Sequence, residues 1–333
     1  RAPPATAGDA RWMDRALALG ASVRARAHPN PWVGAVVVAA GGVAFEGATA
    51  EPGGPHAEAA ALASAGAAAR GATLYATLEP CAHHGRTPPC ADAVVAAGVA
   101  RVVVGMEDPD RRVRGRGIAR LRAAGVAVDV GLRGGEVAAQ LAPYVKHRST
   151  GRPWVVLKLA ASLDGRIAAP DGTSRWITGA AARDDAHRLR AESGAVVVGA
   201  GTVRADDPAL TVRRATGRDP LRVVLGRAPE GAAVHPALEL SGDLGDVLDE
   251  LGRRDVVQVL VEGGATVAHD LHAAGLVDRY VLYLAPVLFG GDDARPMFAG
   301  PGAATMADVW RGTVVGVARL GDDVRVELAP AGG

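Results

Sequence analysis

His56-Ala57-Glu58 and Leu78-Glu79-Pro80-Cys81-Ala82-His83-His84-Gly85-Arg86-Thr87-Pro88-Pro89-Cys90 are the stretches around which this chain is organised. They hold both cysteines of the protein, three of its nine histidines, and a carboxylate two residues from one of them. One His and two Cys, His56, Cys81 and Cys90, make three zinc ligands and leave a fourth position open to water. That is the composition of a catalytic zinc site rather than a structural one. A closed site, with His83 or His84 as the fourth ligand, is the alternative.

The order matters as much as the residue types. His-x-Glu followed by Pro-Cys-x-x-Cys marks zinc-dependent base deaminases, in which the Glu is not a ligand. His56 opens an Ala-rich helix after Gly53-Gly54-Pro55, so Glu58 lies in the first turn, among free amides and partial positive charge. From there it can take a proton from metal-activated water and deliver it to a ring nitrogen and to departing ammonia. The departure from the pattern is the gap between the cysteines, Ala82 to Pro89, eight residues rather than two. Arg86 in that gap is suited to a phosphate beyond the base pocket.

Composition sets the bounds. A length of 333 residues suggests two domains, and 49% apolar residues suffice for ordinary cores. A formal net charge of +1 gives no call for nucleic acid or an anionic membrane. No apolar run is long enough to span a bilayer, and Arg1 to Asp9 lacks a signal peptide's apolar core. Two cysteines in a metal-like motif fit a reducing compartment, so a soluble cytoplasmic protein is expected. Only two of the 37 basic residues are lysines, Lys146 and Lys158. A Lys kept in so Arg-biased a chain points to something Arg cannot do, such as giving up a proton.

Along the chain, Asp9 caps a helix running to Arg26, followed by the turn-rich His28-Pro29-Asn30-Pro31-Trp32-Val33-Gly34. Strands are expected at 33–39, 43–46, 72–78, 100–106 and 126–130, and helices at 56–65, 90–97 and 115–124. This ββαβαβαβ order is a three-layer α/β domain covering 1–148. Ser149-Thr150-Gly151-Arg152-Pro153 reads as a linker into a second α/β domain, 149–333. There, strands are expected at 154–160, 195–199, 221–225, 256–261, 277–285, 313–320 and 324–328. Helices are expected at 179–192, 245–251 and 266–274.

The first domain resembles the deaminase domain of the bifunctional riboflavin-biosynthesis deaminase/reductases, on His28 to Gly34, His56 to Glu58, Thr77 to Cys90, Asp108-Pro109 and Gly115-Arg116-Gly117. The eight-residue Cys gap distinguishes that family from cytidine and tRNA-adenosine deaminases. The resemblance implies a cytidine-deaminase-like fold, zinc on His56, Cys81 and Cys90, and Glu58 as proton shuttle. It implies Asn30, His83 and Arg86 as contacts to a pyrimidine and its ribose phosphate. Two departures stand out: Thr49, where many relatives carry His, and Asp110-Arg111-Arg112, where the family more often has Asn or Asp followed by Pro.

The second domain has no Gly-x-Gly-x-x-Gly opening its first βα unit, so a Rossmann dinucleotide site is not supported. Gly199-x-Gly201 is a weak signal. Gly263-Gly264, between a strand and a helix, is a stronger one, because missing side chains let a phosphate approach a helix N-terminus. Lys158 to Arg166, Ser174 to Gly179, Gly199 to Arg213 and Leu260 to Gly264 together resemble the family's reductase domain, which is dihydrofolate-reductase-like and uses NADPH. The resemblance implies that Ala160, Trp176, Thr202, Asp206, Gly264, Ala265, Thr266, Val267, Ala268, His269 and Asp270 line the cofactor. It implies Ser174, Arg190, Leu210, Arg213 and Glu262 as substrate contacts, with Arg190 and Arg213 suited to the phosphate. Lys158 becomes the reductase acid, protonating or polarising the ribose ring oxygen with Asp206 or Glu262 as partner; a Lys snorkelling from a strand end is the alternative. The segment Arg227 to Gly242 is shorter than in many relatives.

The expected activity is deamination of 2,5-diamino-6-(5-phosphoribosylamino)pyrimidin-4-one, then NADPH-dependent reduction of the ribosyl group to ribityl. The family usually forms dimers or tetramers. Competing readings are a nucleoside or tRNA deaminase fused to an unrelated reductase, a four-ligand zinc-stabilised binding module, and a reductase carrying a dead deaminase.

Overall fold

The computed structural model describes residues 7–83 and 88–331, and the chain divides into two compact units, Arg1–Gly151 and Arg152–Gly333. Unit 1 holds α1 (Ala7–Ser22), α2 (Arg24–Ala27), β1 (Gly34–Val38), β2 (Ala44–Ala48), α3 (Ala57–Ala65), β3 (Thr73–Leu78) and α4 (Cys90–Ala96). It continues through β4 (Arg101–Met106), α5 (Arg116–Ala123), β5 (Ala127–Val130), α6 (Gly134–Gln140) and α7 (Ala142–Thr150). The sheet order is β2-β1-β3-β4-β5, with β1 antiparallel to both neighbours and β3, β4 and β5 parallel. Ala35 to Val37 and Val102 to Val104 are fully buried, as continuous apolar runs in a sheet covered on both faces should be. Helix α1 packs on β1 to β3 and touches α6; α3 packs on the same strands, and α4 bridges α3 to α5.

Three expectations are corrected here. Asp9 is not a cap. It lies inside α1, buried, and its carboxylate accepts the Tyr75 hydroxyl at 2.6 Å and Arg101 Nη1 at 2.8 Å. The first helix breaks at Val23, so Arg24–Ala27 is a separate turn. Ser149 and Thr150 are not linker but the last turn of α7, preceded by a helix, α6, that the pattern did not suggest. Their hydroxyls donate back to the carbonyls of Val145 and Lys146, which ties polar residues into the helix, and left-handed Gly151 (φ 78°) ends it.

Unit 2 holds β6 (Trp154–Ser162), β7 (Arg166–Ala168), α8 (Ala180–Ala191), β8 (Ala195–Gly199), α9 (Ala200–Asp206), β9 (Leu221–Leu225), β10 (Leu238–Leu240) and α10 (Leu244–Arg253). Then come β11 (Gln258–Val261), α11 (Ala265–Ala273), β12 (Arg279–Ala285), β13 (Arg295–Pro296), β14 (Gly312–Leu320) and β15 (Asp323–Pro330). The main sheet runs β10-β9-β8-β11-β6-β12-β15-β14, and β13 pairs only with β7. The first six strands are parallel; β15 and β14 add an antiparallel edge. Successive residues feed opposite cores. Val155, Leu157, Val259 and Val261 enter one, and Val156, Val196, Val198 and Leu260 the other. Leu260 is fully buried at the centre, so Leu260→Ala should cost about 2–5 kcal/mol. Helix α9, which the pattern did not suggest, follows β8 without a loop.

Candidate active sites

In unit 1, three elements converge. His56 precedes α3 in extended backbone (φ −72°, ψ 164°), Cys81 follows β3, and Cys90 is the first residue of α4. His56 Nδ1 lies 3.7 Å from Cys81 Sγ and 3.4 Å from Cys90 Sγ, and the Cys90 amide donates to Cys81 Sγ at 3.4 Å. The three ligand atoms lie within 4.8 Å of one another, and both cysteines are free thiols. Among the described residues no further ligand joins them, and His83 is exposed. His84 and Arg86 lie outside the described residues.

The thiols suit a divalent cation. A hydrogen bond with Cys90 pulls the Cys81 thiol well below the ordinary thiol range against burial, with His56 helping. The Cys81 sulfur, then burial, pushes the Cys90 thiol far up. Two sulfurs this close do not both ionise unless a cation neutralises them, and an N/S donor set is the one zinc prefers. Glu58 is buried beside the cluster (4% exposed). Burial raises its carboxyl to about 7, against its own backbone amide and His56.

What holds the cluster in place was less legible. Glu79, two residues before Cys81, is buried and accepts four backbone amides: Asp108 at 3.2 Å, Gly115 at 2.9 Å, Gly117 at 2.9 Å and Ile118 at 3.2 Å. The sequence reading missed it; a carboxylate between Leu78 and Pro80, at the end of an apolar strand, was the signal. A Cβ on Gly117 would fall 1.8 Å from the Pro80 carbonyl oxygen, so only glycine lets α5 pack there. Thr49 is buried, donates to the Pro31 carbonyl and accepts the Val33 amide, both at 3.0 Å. Its hydroxyl is occupied in holding the loop after Asn30, which is itself half-buried. Asp110 is closed off by Arg112 at 2.6 Å, and Asp108 takes the Tyr144 hydroxyl at 3.2 Å.

In unit 2, a cleft of about 1400 Å³ opens at the carboxyl ends of β6, β8, β9 and β11. That is where open parallel sheets bind ligands. Ala160, Trp176, Thr202, Asp206 and Gly264 to Val267 line it, with Ser174, Leu210 and Arg213. Trp176 is 70% exposed, with the Arg183 guanidinium 4.6 Å from its ring centroid. The cleft stops at Val267. Ala268 enters the core, His269 bonds the Pro301 carbonyl at 3.0 Å, and Asp270 is exposed. Ala268, His269 and Asp270 thus do not line the cleft; only the first turn of α11 faces it. Gly263 also has a packing reason, since a Cβ there would meet Val267 at 2.8 Å.

The cleft floor holds Lys158, Glu262 and Arg190. Lys158 Nζ lies 3.7 Å from Glu262 Oε2 and 5.8 Å from the Tyr283 ring centroid, so its partner is Glu262 rather than Asp206. Arg190, expected to reach a phosphate, is instead paired bidentately with Glu262 and bonded to the Thr211 carbonyl at 3.1 Å. Burial raises the Glu262 carboxyl, but Arg190 and then Lys158 outweigh it and hold it at about 2. Arg175, Arg204, Arg214 and His187 also line the cleft. In a chain so rich in arginine, none of these arginines stood out.

Comparisons with known proteins cover both units. Residues 7–106 match the cytidine and deoxycytidylate deaminase zinc-binding region, and residues 153–326 the RibD C-terminal domain. The riboflavin biosynthesis protein RibD of Escherichia coli is 40% identical over 97% of this chain and all of its own length. That of Mycobacterium tuberculosis is 40% identical over 95% of this chain and 96% of its own. The Acinetobacter baumannii RibD structure superposes with a TM-score of 0.92 at 40% identity, covering 97% of this chain and 99% of that one. A Thermotoga maritima deaminase/reductase gives 0.86 at 34%, with the same coverage. A zinc-binding deaminase domain followed by a reductase domain, matched end to end, makes this chain a member of the RibD family of bifunctional riboflavin-biosynthesis enzymes.

Proposed function

We propose that unit 1 hydrolytically deaminates 2,5-diamino-6-(5-phosphoribosylamino)pyrimidin-4-one, and that unit 2 reduces the ribosyl side chain of the product with NADPH. The end product is then 5-amino-6-(5-phosphoribitylamino)uracil. The Thermotoga maritima relative, a diaminohydroxyphosphoribosylaminopyrimidine deaminase and 5-amino-6-(5-phosphoribosylamino)uracil reductase, supports this pair of reactions. The carrying observation is the His56–Cys81–Cys90 cluster with buried Glu58 beside it.

In this reading His56, Cys81 and Cys90 hold zinc, which when bound supplies an activated water. Glu58 takes a proton from that water and passes it to the departing amine. Water adds, ammonia leaves, and the ring carbon keeps the oxygen. Asn30, His83 and Arg86 hold the pyrimidine and its phosphate.

NADPH, when bound along Ala160, Trp176, Thr202, Asp206 and the first turn of α11, supplies the hydride for the sugar C1 carbon. The proton is the chain's own work. Lys158 Nζ donates to the ribose ring oxygen as the ring opens, with Glu262 beside it as counter-ion. Ser174, Leu210 and Arg213 orient the ribotide, with Arg213 on the phosphate. Arg190 acts one step back, by fixing Glu262 and the Thr211 carbonyl.

The protein works as a homo-oligomer in this reading. Strand β14 ends the sheet with Val314 58% and Val317 66% exposed, an apolar edge that pairing with another copy would cover. Free thiols and the lack, among the described residues, of any helix long and apolar enough to cross a membrane suit a cytoplasmic setting.

The test is coupled. Purified protein with the diaminopyrimidine ribotide and NADPH should release ammonia and oxidise NADPH in equal amounts. Ammonia from a nucleoside or tRNA but none from the ribotide would favour a deaminase fused to an unrelated reductase.

A further inference from the structure

We propose that His187 is a positioning residue of the reductase cleft: as a neutral hydrogen-bond acceptor it holds the Leu210–Arg213 segment where the Arg213 guanidinium can meet the substrate phosphate. This rests on the reading of Arg213 given above.

His187 sits on α8, is 7% exposed, and lines the cleft. Its Nδ1 accepts the backbone amide of Arg213 at 3.3 Å. Arg190, three residues further along α8, donates to the Thr211 carbonyl at 3.1 Å. Two side chains of one helix thus grip the same short segment.

That segment needs gripping. Leu210 has φ 53°, the left-handed region that side chains other than glycine adopt at a cost of roughly 1–2 kcal/mol. Such a conformation persists only where its surroundings over-determine it. The buried Leu210 side chain and the Asp219 carboxylate, which accepts the Val212 amide at 2.7 Å, add two further tethers. The His187 contact is the one among them that mild acid can undo.

Accepting an amide requires a lone pair on Nδ1, hence an imidazole protonated only at Nε2. The charged groups facing the ring are Arg190 from α8, Arg213 from the loop and Glu262 from the end of β11. Asp184 of α8 is engaged with Arg214. Burial, then the two arginines, lowers the His187 pKa from its ordinary 6.5, against Glu262. The tether is therefore intact at neutral pH. As pH falls well below the ordinary histidine value, Nδ1 becomes a second donor facing the Arg213 amide, and the tether is lost.

The substrate phosphate itself titrates near pH 6, so the test compares variants. Reductase kinetics are measured with the deaminated ribotide, with the Tm of the chain and the KM for NADPH as the controls for an intact unit 2. His187→Leu should raise KM about 10-fold with kcat within about twofold, the size of one lost buried hydrogen bond. In His187→Asn, Oδ1 takes the place of Nδ1 without a titrating proton. It should recover most of the neutral-pH KM and flatten the rise in KM as pH falls from about 6.5 to about 4.5. Arg213→Ala separates the two claims. A normal KM there overturns the phosphate reading. A raised KM in Arg213→Ala, with a normal KM in His187→Leu or with one pH profile shared by wild type and His187→Asn, overturns the role of His187 alone.

Discussion

Arg190 and Glu262 are joined by two parallel hydrogen bonds, Nε to Oε1 at 2.5 Å and Nη2 to Oε2 at 3.0 Å, with their side chains 12% and 11% exposed. Lys158 meets the same carboxylate at 3.7 Å, so one anion compensates two cations on the cleft floor. Glu262→Gln removes that anion and leaves both cations uncompensated, at a cost of about 3–5 kcal/mol. The expected result is a lower Tm and little NADPH turnover. The wild-type carboxyl is depressed from 4.5 to about 2, so its stabilisation is full above 4.5 and is lost as pH falls toward about 2. The variant should lack that acid-dependent loss. An unchanged Tm would mean that water or another anion replaces the carboxylate.

Lys158→Arg keeps a cation over Tyr283 but not a proton that leaves easily. NADPH oxidation on the deaminated substrate should fall by about 10²–10⁴, with ammonia release from unit 1 untouched. Near-normal NADPH turnover would make Lys158 a structural partner of Glu262 and nothing more.

Glu58→Gln preserves shape and should preserve the metal, since Glu58 is not among the three clustered ligands. Zinc content should stay near one per chain, while ammonia release drops by about 10²–10⁴. Retained deamination would remove Glu58 from the chemistry.

Gly117→Ala adds a methyl 1.8 Å from the Pro80 carbonyl oxygen. Pro80 must then move, and Cys81 with it. A loss of about 1–3 kcal/mol is expected from overpacking, with weaker zinc retention against a chelator. Stability lost with zinc affinity intact would separate the packing of α5 from the metal site.

Val317→Lys puts a charge on the exposed apolar edge of β14. Light scattering should show a smaller particle, with unit 1 still releasing ammonia. An unchanged mass would place the contact between copies elsewhere.

The zinc cluster was legible in the sequence because metal ligation tolerates few residue types and the three ligands sit in short contiguous motifs. The parallel strands were legible for a similar reason: fully buried runs such as Val102 to Val104 carry their own signal. Pairings across long separations were not. Arg190 and Glu262 lie 72 residues apart, and Asp9 and Arg101 lie 92 apart. By pattern Asp9 looked like a cap, and the family resemblance suited Arg190 to a phosphate. In both cases burial decided, because a charge out of water takes the opposite charge nearest to it. Ser149 and Thr150 looked like a break because their hydroxyls are usually turn formers, and here those hydroxyls bond back into the helix.

Both thiols of this chain sit in one cluster in unit 1, and unit 2 has none. An electrophile or oxidant selective for thiols therefore has a single address, upstream of the step that consumes NADPH. Damage there starves the second reaction of its substrate without touching its machinery. Thiol stress would stop the enzyme before it draws on reducing power, and restoring the two sulfurs and the metal would restart both reactions.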